Sequence, residues 1–339
     1  MQLFGKDLFK EVVVVAEIGV NHEGDVNAAS RLLELAAGTG VNAVKFQTYS
    51  SDRFISSSNP DLLERVERFS LSESEFRRLS MEAKELGVAF FSTAVTEDAI
   101  PLVDELGEAI KIASGDLTFE PVIRAAAQTN KPIILSTGLG VEAEIDRAVA
   151  WVRDEVGDHR LSSSLILLHC VSAYPTPLEQ TNVRSVPYLA TRYGIQVGYS
   201  HHAVELEPCL SAVALGASVV EVHFTDCKYG REFRDHALSV EAEELSRLVD
   251  MIRKIRTSLG DLNKERQECE QPLLEVARKG IVAACDLEVG TVIEKHHVMF
   301  ARPATDFPAD SLSEVIGKKL TVSLCRGEIL PRVGVEAID

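Results

Sequence analysis

The sequence predicts an α/β protein whose main body is a (β/α)8 barrel followed by a small β-rich domain, and three observations carry that prediction. Short β-branched runs recur along the chain, each followed by a longer stretch with apolar residues at helical spacing, which is the pattern of a parallel sheet with crossover helices. There are eight such units within about 260 residues, the number and size expected of a barrel. The competing architecture is a doubly wound sheet. It is disfavoured because the segment after the first strand, AEIGVNHEG, lacks the G-x-G-x-x-G turn of a dinucleotide site.

In chain order, the strand candidates are Val12–Glu17, Ala43–Gln47, Val88–Ser92, Ala109–Ala113, Pro132–Ser136, Ser164–Cys170, Ile195–Gly198 and Val219–His223. Most are near-continuous apolar runs, as strands buried on both faces require. Between and after them lie helix candidates at Asn27–Gly38, Ser74–Leu86, Asp98–Leu106, Val122–Thr129, Glu142–Val156, Val183–Tyr193, Glu205–Leu215 and Glu241–Leu259. Asp261–Pro272 is polar and ends in proline, which reads as a linker. The predicted organisation is a barrel over 1–260, a linker over 261–277 and a compact module over 278–339 with short β-like runs (GIVAACD, TVI, LTVSL). That module is too small for catalysis alone and suits a lid.

Composition narrows the partners. With 35 Lys and Arg against 52 Asp and Glu the net charge is −17, and no basic run offsets it, so nucleic acid and anionic membrane are not expected. An anionic substrate would have to be gathered by a few cations inside a pocket. The six cysteines form no C-x-x-C pair and are expected to be reduced and mostly buried. The apolar run before Glu17 is too short for a signal core or a membrane span, so a cytoplasmic protein is expected.

Barrel enzymes place their chemistry where strands end. Here those ends are polar: Glu17; Lys45 and Gln47; Ser92 and Thr93; Lys111 and Ser114; Ser136-Thr137-Gly138; His169; Ser200-His201-His202; Glu221 and His223. Alternation along the eighth strand points Glu221 and His223 to one side. His202 can reach the same region, and two imidazoles near a carboxylate suit a divalent transition metal, unless the histidines act as acid–base groups. Lys45 and Lys111, with the hydroxyls of Thr93, Ser114 and Ser136, form a candidate cradle for a phosphate or carboxylate. A Schiff-base lysine is the competing chemistry.

The strings AEIGVNHEGD (16–25), AVKFQTY (43–49), KIASGDL (111–117), KPIILSTGL (131–139), LLHCVSAYPTP (167–177), VGYSHH (197–202), ALGASVVEVHFTD (214–226) and RDHALSVEAEEL (234–245) resemble the sialic acid synthases, the wider nonulosonate synthase family. The stretch RKGIVAACDLEVGTVIEKHHVMFARP (278–303) resembles the antifreeze-like (SAF) domain that follows the barrel in that family. The resemblance implies condensation of phosphoenolpyruvate with an N-acetylated amino-sugar aldehyde such as N-acetylmannosamine, with a divalent metal, Mn²⁺ first and Mg²⁺ or Co²⁺ as alternatives. It makes His202 and His223 the metal ligands, with Glu17 handling the attacking water and Glu221 contacting the acceptor. Lys45, Thr93, Lys111, Ser114, Ser136 and Ser200 would hold phosphoenolpyruvate, Gln47 and Tyr174 would line the substrate path, and Asp235 would bind acceptor hydroxyls. It further implies a swapped homodimer in which the SAF domain caps the partner's site and Arg302 reaches the N-acetyl group.

The chain departs from the family pattern near the acceptor. It reads Ser200-His201-His202 where S-D-H is usual, and Val222 where a lysine is usual. STAVTED follows the third strand, and the last module reads FARPATDF. His201 could therefore join the metal site or meet a different acceptor. The alternatives are a condensation with an unrelated aldehyde and a barrel that binds sugar or phosphate without turnover.

Overall fold

A computed structural model describes residues 1–337, so the last two residues of the predicted module, 338 and 339, lie outside the described residues. The chain forms two compact units that divide at Gly260 and Asp261.

In the first unit eight parallel strands close into a barrel in chain order: β1 Val13–Gly19, β2 Ala43–Thr48, β3 Ala89–Ala94, β4 Ile110–Ile112, β5 Ile133–Ser136, β6 Leu165–His169, β7 Gln196–His201 and β8 Val219–His223, with β8 pairing back onto β1. Each strand falls within three residues of its predicted ends. The outer helices are α1 Val26–Ala37, α2 Glu73–Glu85, α3 Ile100–Leu106, α4 Glu120–Gln128, α5 Glu142–Val156, α6 Ser185–Tyr193, α7 Glu207–Ala214 and α8 Ala242–Leu259. Their starts follow local chemistry. The Asp25 side chain accepts from the Asn27 amide ahead of α1, and Ser72 and Glu75 form a reciprocal capping box ahead of α2.

Period-two alternation sorts each strand into an outward row packed under the helices and an inward row filling the barrel. Val14, Ala16 and Ile18 face outward, while Val13 and Val15 face inward with Ala43, Phe91, Ala109, Ile134, Ile166, Leu168 and Val219. The inward row is apolar in its lower layers and turns polar one step further on, at Glu17, Lys45, Thr93, Lys111, Ser136, Ser200 and Glu221. Gly198 sits in the same row because a Cβ there would collide with the Leu168 side chain and the Val219 carbonyl. A short hairpin, Gln2–Leu3 with Lys6–Asp7, closes the bottom, its turn residue Phe4 packing 5.1 Å from the Phe91 ring.

Four α-helices of the first unit lie outside the predicted ones. Ser51–Phe54 and Pro60–Phe69 form an insert between β2 and α2, Asp158–Ser164 lies between α5 and β6, and Asp235–Leu238 lies between β8 and α8. In the second unit, Gly280–Ala283 pairs antiparallel with Val298–Ala301, and Lys319–Leu320 with Val335–Glu336, around a small core that includes Ile281, Ile293, Phe307 and Leu330. The stretch expected as a linker carries helical turns at Glu268–Leu273 and Leu274–Ala277 and groups with this unit. The cysteine expectation is half corrected. All six are free, but only Cys170 and Cys209 are buried; Cys227 lies in an exposed loop, and Cys269, Cys285 and Cys325 belong to the second unit, whose core is too small to cover them.

Candidate active site

The polar ends of the inward rows meet at the floor of a cavity of about 620 Å³ at the C-terminal mouth of the barrel. Thirteen of the fourteen residues given a role by the family resemblance line it: Glu17, Lys45, Gln47, Thr93, Lys111, Ser114, Ser136, Tyr174, Ser200, His202, Glu221, His223 and Asp235. The fourteenth, Arg302, is an exposed residue of the second unit.

At the centre Lys45 Nζ lies 3.0 Å from Glu17 Oε2 and 3.6 Å from Glu221 Oε2, and donates to Thr93 Oγ1 at 3.1 Å. All three charged groups are buried. Lys111 donates to Ser136 Oγ at 2.6 Å and to the Ile112 carbonyl at 2.9 Å. Glu221 accepts from Ser200 Oγ at 2.9 Å, and Glu17 from Gln47 Nε2 at 3.3 Å. Two buried carboxylates around one ammonium divide their roles. Burial, with the repulsion of Glu221, pushes Glu17 up to about 7 against the pull of Lys45. Glu221 is also opposed by burial, yet Lys45, Lys111 and the Ser200 hydrogen bond together hold it well below the ordinary carboxylate range. Burial works against the Lys45 charge, but its two carboxylates outweigh it and the ammonium is held above its ordinary value. Lys111 has no carboxylate in contact; burial and the repulsion of Lys45 lower it.

Beside this cluster stand the two histidines, ring centroids 5.5 Å apart, with Tyr174 4.3 Å from His202 and edge-on to His223 at 6.0 Å. Burial lowers His202 to about 4 and His223 to about 3, so both are neutral imidazoles at neutral pH. His202 Nδ1 is 2.8 Å from the Val171 carbonyl; as the donor there, it leaves Nε2 with a free lone pair. His223 Nδ1 is buried without a partner. Among the described residues no group of three or more His, Cys, Asp or Glu side chains is placed to bind a metal. Two neutral imidazoles with free nitrogens nevertheless fit a divalent metal that keeps open positions for water or substrate oxygens.

Two strand-end histidines do not join the site. His201 alternates with Ser200, opposes Val222 and faces the outer layer, 5.9 Å from Tyr199, with both ring nitrogens unpartnered. The possibility that it ligates a metal beside His202 and His223 is thereby removed. His169 also faces outward, contacting the Thr181 carbonyl at 2.8 Å and lining a separate cavity.

The sequence reading missed the upper wall. Arg234, next to Asp235, places its guanidinium carbon 4.9 Å from the Tyr174 ring and its Nε 3.2 Å from Asp235 Oδ1. The insert and the β8 loop also contribute Phe54, Leu62, Arg65, Val66, Phe69 and Phe233 to the lining. The signal was present in the sequence: Asn59 caps a helix that begins at Pro60, and Leu62, Val66 and Phe69 follow at helical spacing.

The sequence pattern of the NeuB family matches residues 32–264, more than half of the chain, and that of the SAF domain matches residues 278–336. The chain belongs to the NeuB family. Among NeuB-related proteins it is similar to N,N'-diacetyllegionaminic acid synthase of Campylobacter jejuni, 34% identical over 95% of this chain and 99% of that one. It is also similar to N-acetylneuraminate-9-phosphate synthase of Homo sapiens, 29% identical over 92% of this chain and 89% of the other. A crystal structure of N-acetylneuraminic acid (sialic acid) synthetase from Leptospira borgpetersenii, in complex with citrate, covers 78% of this chain and 90% of its own with a TM-score of 0.73 and 34% identity. No helix among the described residues is long and apolar enough to cross a membrane.

Proposed function

We infer that the protein condenses phosphoenolpyruvate with an N-acylated amino-sugar aldehyde and water, giving a 2-keto-3-deoxy nonulosonate and inorganic phosphate. The observation that carries this reading is the floor itself: two buried lysines and four hydroxyls stand beside two neutral imidazoles, all opening into one cavity. The synthase names of the relatives agree with it.

Lys111, Ser136, Ser114, Thr93, Lys45 and Ser200 bind the phosphate and carboxylate of phosphoenolpyruvate. An anion there supplies the charge compensation that Lys111 lacks in the protein alone. Asp235 and Glu221 orient the acceptor through its hydroxyls, and Tyr174 and Gln47 shape its path. His202 and His223 would hold a divalent cation, Mn²⁺ first, which when bound would supply Lewis-acid polarisation of the aldehyde. The new carbon–carbon bond joins C3 of phosphoenolpyruvate to the aldehyde carbon, and the aldehyde oxygen becomes a hydroxyl by taking up one proton of the attacking water, the other leaving with phosphate. Water adds at C2, and Glu17, poised near neutrality, takes its proton. The C2–O bond to phosphorus then breaks, and phosphate leaves with that oxygen while C2 becomes a ketone. Lys45 and Lys111 stabilise the negative charge as it shifts to the leaving group.

Product analysis tests this reading. One equivalent each of phosphate and of a 2-keto acid whose mass equals acceptor plus pyruvate supports it; pyruvate without a new carbon–carbon bond refutes it. The depressed Lys111 favours Schiff-base chemistry as the second reading. Borohydride trapping of a pyruvyl adduct on Lys111 would select it.

The homodimer, a SAF cap carrying Arg302 over the partner's site and a cytoplasmic location complete the proposal. Light scattering that reports a 37.1 kDa monomer would contradict the dimer.

A further inference from the structure

The turn between β1 and α1 carries a residue whose backbone costs free energy and whose side chain the proposed mechanism does not use. Glu23 adopts a left-handed conformation, with φ at 51°, which a residue with a Cβ holds only where something else secures it. What secures it lies across the seam where β8 pairs back onto β1. Glu23 Oε1 is 3.0 Å from Nε2 of His236, a fully buried imidazole whose Nδ1 is 2.7 Å from Thr225 Oγ1. A carboxylate can only accept, so Nε2 carries the proton and Nδ1 accepts from the Thr225 hydroxyl. Burial holds His236 below the ordinary imidazole range, which keeps it to that single ring proton at neutral pH.

The segment held in this way is the β8 loop. Thr225 lies at its start and His236 near its end, and between them Arg231 pairs with Asp226 at 2.8 Å and approaches Glu23 at 3.8 Å. Asn21 of the same turn donates to the Phe224 carbonyl at 2.8 Å and to Ser239 Oγ at 3.1 Å, and Ser239 Oγ donates to the Asp235 carbonyl at 2.6 Å. On its other side the turn abuts the insert. Gly24 passes so close that a Cβ there would overlap the Arg68 carbonyl, next to Phe69, whose ring meets Phe233 edge-on at 5.3 Å. The turn from Asn21 to Gly24 thus touches both segments of the upper wall. Glu23 and His236 stand outside the cavity, whereas Phe233, Arg234 and Asp235, immediately before His236, line it.

Resting on the condensation proposed above, we propose that Glu23 and His236 form a latch across the barrel seam that sets Asp235 where the acceptor needs it, both acting as positioning residues and neither touching substrate. Glycine would suit the backbone at position 23 better, and the glutamate is there for its carboxylate. With the latch broken, the helix Asp235–Leu238 keeps its Ser239 contacts but loses its tie to the β1 side. Asp235 then wanders, while Lys45, Lys111 and the strand hydroxyls stay where the barrel holds them.

The test uses Glu23→Gly, which removes the carboxylate but relieves the left-handed backbone, so its urea midpoint should stay close to that of the wild type. Two readouts follow, one of which needs no turnover. Trypsin cleavage after Arg231 and Arg234, both exposed in the loop, should quicken about tenfold, because cleavage tracks how often the loop opens. With phosphoenolpyruvate, Mn²⁺ and N-acetylmannosamine, KM for the sugar should rise about tenfold while KM for phosphoenolpyruvate changes by less than about twofold. Glu23→Gln still accepts from Nε2 and should return both readouts to within about threefold of the wild type. Cleavage at the wild-type rate in Glu23→Gly, or Glu23→Gln as impaired as Glu23→Gly, overturns the latch. Faster cleavage with equal rises in both KM values overturns its role in positioning Asp235. A wild type inactive with every aldehyde overturns the condensation instead, and the cleavage comparison then decides the latch by itself.

Discussion

The floor and the upper wall of one cavity are built by opposite means. The floor residues sit on barrel strands, where period-two geometry and pairing to both neighbours fix every side chain. There Lys45 is held 3.0 Å from Glu17 and 3.6 Å from Glu221. The wall residues sit on an insert and a loop that no strand registers, and they contact one another through aromatic edges. Charge is placed where the scaffold is rigid, because a buried ion is tolerable only if its partner cannot drift away. On the proposed reaction, the acceptor meets segments that can vary without disturbing the barrel.

The comparison is broken most directly by removing its central charge. Lys45→Met is expected to lower kcat/KM by about 10²- to 10³-fold, since it deletes a cation that the proposed mechanism sets against the departing phosphate. If steady-state assays show less than a tenfold loss, the floor is not the phosphate site. The next effect concerns stability. The folded value of Glu17 lies above that of an unfolded carboxylate, so the folded state binds the proton more tightly. That contribution is fully present below about pH 4.5 and is lost as pH rises through about 7. In Glu17→Gln it is absent, so the stability of the wild type relative to this variant should fall by roughly 3 kcal/mol between pH 4.5 and 8. Urea midpoints across that range would show it, and parallel curves for the two proteins would contradict the assignment.

Smaller changes sharpen the contrast. Asp235→Asn should raise KM for the sugar about 10- to 100-fold while KM for phosphoenolpyruvate moves little, because the proposed mechanism sets its carboxylate against the acceptor. Equal changes in both would erase the distinction between floor and wall. Least affected should be Arg192→Ala on the outer helices: its bond to Asp146 at 2.8 Å is exposed and screened by solvent, so a urea midpoint close to that of the wild type and unchanged kinetics are expected.

The same contrast explains what could be read from sequence. Alternation placed Glu221 and His223 together and put Lys45 and Gln47 on one face, because strand geometry leaves a side chain only two directions. Those floor positions needed no knowledge of the loops. His201 shows the limit of that reasoning. A histidine beside His202 looked like a possible ligand, yet one further step of the same alternation turns it to the outer layer, opposite Val222. Phe233 and Arg234 were not singled out, since a loop has no period from which to infer what it faces. Phe69 escaped for a different reason: the insert interrupts the regular strand–helix rhythm, so its amphipathic helix went unread although Asn59 and Pro60 marked its start.

The most direct test of the central claim is phosphate release from phosphoenolpyruvate with Mn²⁺ and N-acetylmannosamine, compared with omission of each component and with His223→Ala. Release that requires all three components, stops when the metal is chelated and is lost in the variant is the predicted result. Release that persists without sugar or without metal, or that survives in His223→Ala, would contradict the account.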